Sequence, residues 1–134
     1  MCHDLGIGEK VVFAGFREDL ERVLGCLDLL IHPALMEGLG VSLLQAAAAG
    51  VPIVGTRTGG IPEIVRDGVN GYLLPPANVR SITDTVTKIL ANRELAANFG
   101  ENGRAIAFRS FSIESMVGGN LGMYREMMSE QSRA

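Results

Sequence analysis

Short apolar runs alternate with stretches of helical periodicity along this chain. Val11-Val12-Phe13-Ala14 stops at Gly15, and Leu29-Leu30-Ile31 is closed by Pro33, so both predict short buried strands. Pro52-Ile53-Val54-Gly55-Thr56 predicts a third strand, and Tyr72-Leu73-Leu74 before Pro75-Pro76 a fourth. Between the first two, Leu20, Val23, Leu24 and Leu27 recur at a helical period, which predicts a helix from Asp19 to Leu27. Val41 to Ala49 contains only good or tolerable helix formers. Gly50 and Pro52 stop that helix, glycine past its last turn and proline unable to continue it. Gly59-Gly60-Ile61-Pro62-Glu63 reads as a second glycine loop opening a short helix, with Pro62 and Glu63 favourable in its first turn. Asp67-Gly68 and Asn70-Gly71 are turn signals, and the polar stretch from Met1 to Lys10 resembles the frayed end of a helix at Leu5-Gly6.

Beyond Pro76 the pattern is helical. Val79, Ile82, Val86, Ile89 and Leu90 line one face of a helix capped by Asn78. A second helix, Leu95 to Phe108, is loosened by Gly100 and Gly103. Ser112 caps a third, with Ile113, Val117, Leu121, Tyr124 and Met128 at helical spacing. Gly118, Gly119 and Gly122 each cost that helix about 1 kcal/mol relative to alanine, so it needs a packing partner to persist. Strands alternating with helices predict parallel βα units in a doubly wound sheet. Ligands on such sheets bind beyond the carboxyl ends of the strands, where both glycine loops fall.

The stretch that carries chemistry is Glu37-Gly38-Leu39-Gly40-Val41, between the second strand and the helix that follows it. A helix N-terminus offers unpaired N–H groups and the positive end of the helix dipole, which suits a phosphate. Gly38 and Gly40 lack a Cβ, so a ligand can come close to the backbone. Val41 and Gln45 share a helix face about 6 Å apart along the axis, so a diphosphate at the Val41 amide would present an attached ribose to Gln45. Leu43 stands where a dinucleotide fingerprint would have its third glycine, and no Walker lysine follows. On spacing alone, a tight turn without a ligand accounts for these residues as well as a phosphate site does. Glu37 could equally serve only to complement the dipole, and Gln45 in isolation reads as a solvated helix residue. His32 reads as structural rather than catalytic, Ala46 to Ala49 as a close-packing face against the sheet, and the six methionines as core or interface filler.

Composition narrows the classes. With 134 residues the chain is one domain, 47% hydrophobic and 20% charged with a net charge of −3, as for an ordinary soluble globular protein. Mild acidity argues against nucleic acid as the main partner, and no basic run suggests an anionic membrane. No segment reaches the roughly 18 uninterrupted apolar residues of a membrane span. Cys2 and Cys26 form neither a metal spacing nor a disulfide framework, so a reducing, cytoplasmic location is expected. Without HExxH, a nucleophile elbow or a paired CxxC, metal hydrolysis and acyl transfer have little support.

Six blocks in order resemble the C-terminal, nucleotide-sugar donor-binding domain of retaining GT-B glycosyltransferases of the group 1 or family 4 type. They are Val11-x-Phe-x-Gly15, Asp28 to Pro33, Glu37-Gly-Leu-Gly40, Ala46-x-x-x-Gly50-Val-Pro-Ile-Val54, Gly59-Gly-Ile-Pro-Glu63 and Asp67-Gly-x-Asn-Gly71, with Arg109-x-Phe-Ser112 and the tyrosine-bearing helix also fitting. The resemblance implies an α/β fold: a partial doubly wound parallel sheet, the Rossmann-like half of a GT-B fold, with C-terminal helices. Glu37, the first of two family acids, is implied to contact hydroxyls of the transferred sugar. Gly38, Leu39, Gly40 and Val41 would supply backbone amides to that sugar and the diphosphate. Gln45 stands where the second acid would grip the ribose; an amide offers one acceptor oxygen and one donor NH₂, a loss of about 1 kcal/mol. Phe16 and Arg17 are the implied nucleobase contacts. No metal and no cofactor is implied in this domain.

The implied chemistry is transfer of a hexose from a nucleotide-diphosphate sugar to an acceptor hydroxyl with retained configuration. Family members carry an N-terminal acceptor domain and two further strands that are expected to be missing here. In the strand order 3-2-1-4-5-6 those strands would lie between Val11-Ala14 and Leu29-Ile31. Either the first strand slides across to pair with the second, or another copy fills the gap, so self-association through an exposed edge is expected. Residues 1–134 would then be a donor domain with little or no turnover alone. The alternative is a non-catalytic, degenerate module that binds a partner through its exposed edge and methionine-rich terminal helix. A sugar-nucleotide epimerase fits the blocks less well.

Overall fold

Three parallel strands, β1 (Leu30–His32), β2 (Ile53–Thr56) and β3 (Gly71–Leu74), lie side by side in that order in a computed structural model, which describes residues 1–131. Six α-helices accompany them: α1 (Leu20–Leu24), α2 (Val41–Ala49), α3 (Ile61–Ile64), α4 (Val79–Leu90), α5 (Arg93–Ser110) and α6 (Ile113–Gln131). The register sets Leu30 beside Ile53 and Ile53 beside Gly71. Every residue of β2 is buried, as expected of a strand covered on both faces.

Alternation along the strands divides the interior in two. Ile53 and Leu73 join Leu43, Ala46, Ala47, Ile61 and Ile64, so α2 and α3 cover one face. Val54 joins Ile89 and Phe99, with Tyr72, Leu74 and Val86 packed around them, so α4 and the start of α5 cover the other. This is the doubly wound arrangement expected from the sequence. The predicted caps also form: Asn78 Oδ1 accepts from Ser81 N–H at 3.0 Å and Ser112 Oγ from Ser115 N–H at 3.1 Å. The Glu114 carboxyl lies below the ordinary carboxylate range, held there by a hydrogen bond to its own backbone and then by Ser112.

Two of the predicted elements do not form as expected. Val11-Ala14 is not a strand; Val12 and Phe13 are 86% and 84% exposed, and the run pairs neither with β1 nor with anything else in the sheet. Four apolar residues form a strand only beside a ladder that accepts them, and among the described residues β1 pairs with β2 alone. The helix predicted from Asp19 to Leu27 likewise shrinks to α1, of which only Leu24 is buried.

Gly100 and Gly103 do not loosen their helix either. Both are buried where α5 crosses α2: a Cβ on Gly100 would overlap the Gly50 carbonyl oxygen, and one on Gly103 would lie 3.6 Å from Ala47. Part of the alanine-rich face of α2 is thus turned to α5 as well as towards the sheet side. In α6, Ile113, Val117, Leu121 and Tyr124 are exposed, so the helix presents its apolar positions to solvent. Among the described residues no helix is long and apolar enough to cross a membrane.

Candidate functional site

Pairing of β1 with β2 fixes His32 opposite Gly55, and the chain then leaves the sheet at Pro33 for the loop that ends at α2. Gly40 closes this loop with φ +80°, a left-handed conformation that L side chains rarely adopt. A Cβ there would also lie 2.9 Å from Leu43 Cδ1. The Gly40 carbonyl accepts from Leu43 N–H at 2.9 Å and Leu44 N–H at 3.3 Å, which starts the helix. No side chain caps α2, and the Val41 and Ser42 amides make no hydrogen bond among the described residues. Two donors at the positive end of the dipole therefore remain available.

The loop is anchored by the unit that follows it in sequence. Thr56 Oγ1 donates to the Ala34 carbonyl and Thr58 Oγ1 to the Leu35 carbonyl at 3.1 Å. Gly60 N–H donates to the Gly38 carbonyl at 2.7 Å. Cβ atoms at Gly59 and Gly60 would overlap the carbonyl oxygens of Glu37 and Gly38. The second glycine loop therefore lies backbone to backbone on the first, and its glycines are explained by that approach.

Glu37 occupies the centre. Its Oε2 lies 2.7 Å from His32 Nε2 and its Oε1 accepts from Gly38 N–H at 3.0 Å. The side chains of His32 and Glu37 are 24% and 27% exposed. A carboxylate can only accept, so the proton of this contact is on Nε2. In the sequence His32 reads as structural, and the fold brings it onto Glu37. Its signal was a histidine closing a strand with a glutamate five residues on, a separation meaningful only once the loop is known to fold back.

The remaining candidates are dispersed. Gln45 is exposed one turn beyond Val41 on α2. Phe16 is 92% exposed, and the Arg17 guanidinium is held by Asp19 through two hydrogen bonds of 2.8 and 2.7 Å. Neither side chain makes a hydrogen bond or ring contact with the Glu37 loop. No group of three or more His, Cys, Asp or Glu side chains among the described residues is placed to hold a metal ion. Free helix-terminal amides beside an ordered carboxylate can bind an anion and accept hydroxyl hydrogen bonds from the same ligand.

Residues 1–106 match the family described as glycosyl transferases group 1. The chain is 32% identical over 130 residues to the N-acetyl-alpha-D-glucosaminyl L-malate synthase of Bacillus anthracis, covering 97% of this chain and 34% of that protein. It is 39% identical over 113 residues to a GDP-mannose-dependent phosphatidylinositol monomannoside mannosyltransferase of Mycolicibacterium smegmatis, covering 78% of this chain and 30% of that one. The crystal structure of Anabaena HepE in complex with UDP-glucose superposes with a TM-score of 0.83 at 28% identity, over 96% of this chain and 35% of HepE. A sucrose-phosphate synthase from Thermosynechococcus elongatus, at 24% identity and a TM-score of 0.87, shares the fold over 96% of this chain and 33% of its own. The chain thus spans about a third of the length of these relatives. It belongs to the glycosyl transferases group 1 family, and its sheet and helices correspond to the Rossmann-like half of the GT-B fold.

Proposed function

We propose that this chain is the donor-binding part of a retaining hexosyltransferase, holding a nucleotide-diphosphate sugar at the α2 N-terminus. The observation that carries this reading is the pair of free amides at Val41 and Ser42 beside the ordered Glu37 carboxylate. In this role the amides of Gly38 to Val41 face the diphosphate, where negative charge grows as the glycosidic bond breaks. Glu37 accepts from hydroxyls of the departing hexose, and Gln45 lies along the helix for the ribose. Phe16 and Arg17 keep their proposed place beside the nucleobase, with Arg17 exchanging Asp19 for the ligand. No metal or cofactor is needed in this half. The acceptor comes from an N-terminal domain of the full-length enzyme, so the chain alone has little or no turnover.

UDP-glucose and GDP-mannose are suitable probes, since HepE was solved with the first and the mycobacterial relative is named for the second. Isothermal calorimetry of Glu37→Ala is expected to show sugar nucleotide weakened by about tenfold, with the parent nucleoside diphosphate changed by less than about twofold. Equal losses for both ligands would contradict the assigned role. The departure at Gln45 favours a second reading, a non-catalytic module. That reading holds if the chain ignores sugar nucleotides and nucleoside diphosphates alike at millimolar concentration.

The chain alone is also proposed to self-associate through β1, whose outer edge pairs with no strand among the described residues. Ile31 on that strand is 44% exposed, and the apolar Val12 and Phe13 are uncovered. Light scattering is expected to show mass rising with concentration. A strict monomer at high concentration counts against it.

A further inference from the structure

A glutamate on a loop has several rotamers, and freezing them opposes any single geometry. Glu37 is nevertheless held at both oxygens, Oε1 by its neighbour's backbone and Oε2 by a side chain from another element. That second holder, His32, ends β1, where pairing with β2 sets its backbone opposite Gly55. A sheet position therefore reaches 2.7 Å across to a loop carboxylate. Each carboxylate oxygen can accept two hydrogen bonds, so one acceptor position on each remains for a ligand. Gly38 N–H alone would fix one oxygen and leave the other free to swing about it.

We infer that His32 is a positioning residue for donor-sugar recognition: its Nε2–H holds the Glu37 carboxylate in the orientation that accepts sugar hydroxyls. This rests on the donor-binding reading above and adds to it a residue outside the glycine loop. His32 touches neither nucleotide nor sugar in this role, and it acts only through Glu37. The nucleoside diphosphate part of the ligand, held by α2 amides, is indifferent to it.

Calorimetry of the full chain with UDP-glucose and with UDP tests this in His32→Ala, His32→Gln, Glu37→Ala and the double variant His32→Ala with Glu37→Ala. His32→Ala is expected to weaken UDP-glucose by about three- to tenfold and UDP by less than about twofold. His32→Gln, whose amide NH₂ can also donate to Oε2, is expected to recover most of the loss. The double variant should bind UDP-glucose no more weakly than Glu37→Ala, because both changes remove one coupled element. Additive losses, equal losses for the two ligands, or no recovery in His32→Gln would each overturn the role of His32 while leaving donor binding intact. An unmodified chain that binds neither ligand overturns the donor-binding reading itself, and the role of His32 with it. A structural role alone would lower the melting temperature and weaken both ligands together.

Discussion

Gly59→Ala is expected to destabilise the fold by more than about 2 kcal/mol and to abolish sugar-nucleotide binding. Gly59 has φ +51°, where a Cβ adds about 1 kcal/mol of strain. The larger effect is positional, because that Cβ would overlap the Glu37 carbonyl oxygen. The obstacle is backbone, which has no rotamer to change. Room can come only by moving the Glu37 loop away from Gly60, which breaks the 2.7 Å hydrogen bond from Gly60 N–H to the Gly38 carbonyl. Chemical denaturation reads the stability and calorimetry reads the ligand. A variant with the stability and affinity of the parent would show that the two glycine loops do not interlock.

Gly100→Ala is expected to be as damaging, and here the sign is diagnostic. Alanine in place of glycine inside a helix ordinarily stabilises by about 1 kcal/mol. At Gly100 the added Cβ meets the Gly50 carbonyl oxygen, so the expected result is a loss of more than about 2 kcal/mol as α5 is pushed from α2. Gly103→Ala, with contacts of 3.6 Å and longer, should be near neutral. Gly118→Ala, with nothing within 4 Å, should stabilise by up to about 1 kcal/mol. Thermal melts of the three variants check the series. Stabilisation by Gly100→Ala would mean that the crossing of α5 over α2 is not as close as described.

This series shows where sequence reading stops. A glycine in a helix looks the same on paper whether it weakens the helix, as Gly118 does, or admits a neighbouring carbonyl, as Gly100 does. What decides is a partner 50 residues away, and local propensity carries no record of it. Elements settled by their own residues were legible: β2 and β3, α2 with its glycine ends, and the caps at Asn78 and Ser112. The glycine turn into α2 was legible too, because Gly40 takes a left-handed conformation that glycine adopts at little cost.

Val11-Ala14 was misread for the opposite reason. Its residues favour a strand, yet a strand exists only against a neighbour, and among the described residues β1 pairs only with β2. The contact of His32 with Glu37 was not legible because the acid lies across a fold-back of the loop. That fold-back depends on Thr56, Thr58 and Gly60, all from the next βα unit. The Glu37 loop is thus held by residues of two βα units.

The central claim, that the exposed start of α2 receives the diphosphate of a sugar nucleotide, is tested most directly by adding UDP-glucose to ¹⁵N-labelled chain and following backbone amide shifts. Saturable shifts concentrated at Gly38 to Ser42, largest at Val41 and Ser42, are the expected result. Saturable binding that leaves those two amides unmoved, or no binding at millimolar ligand, would contradict it.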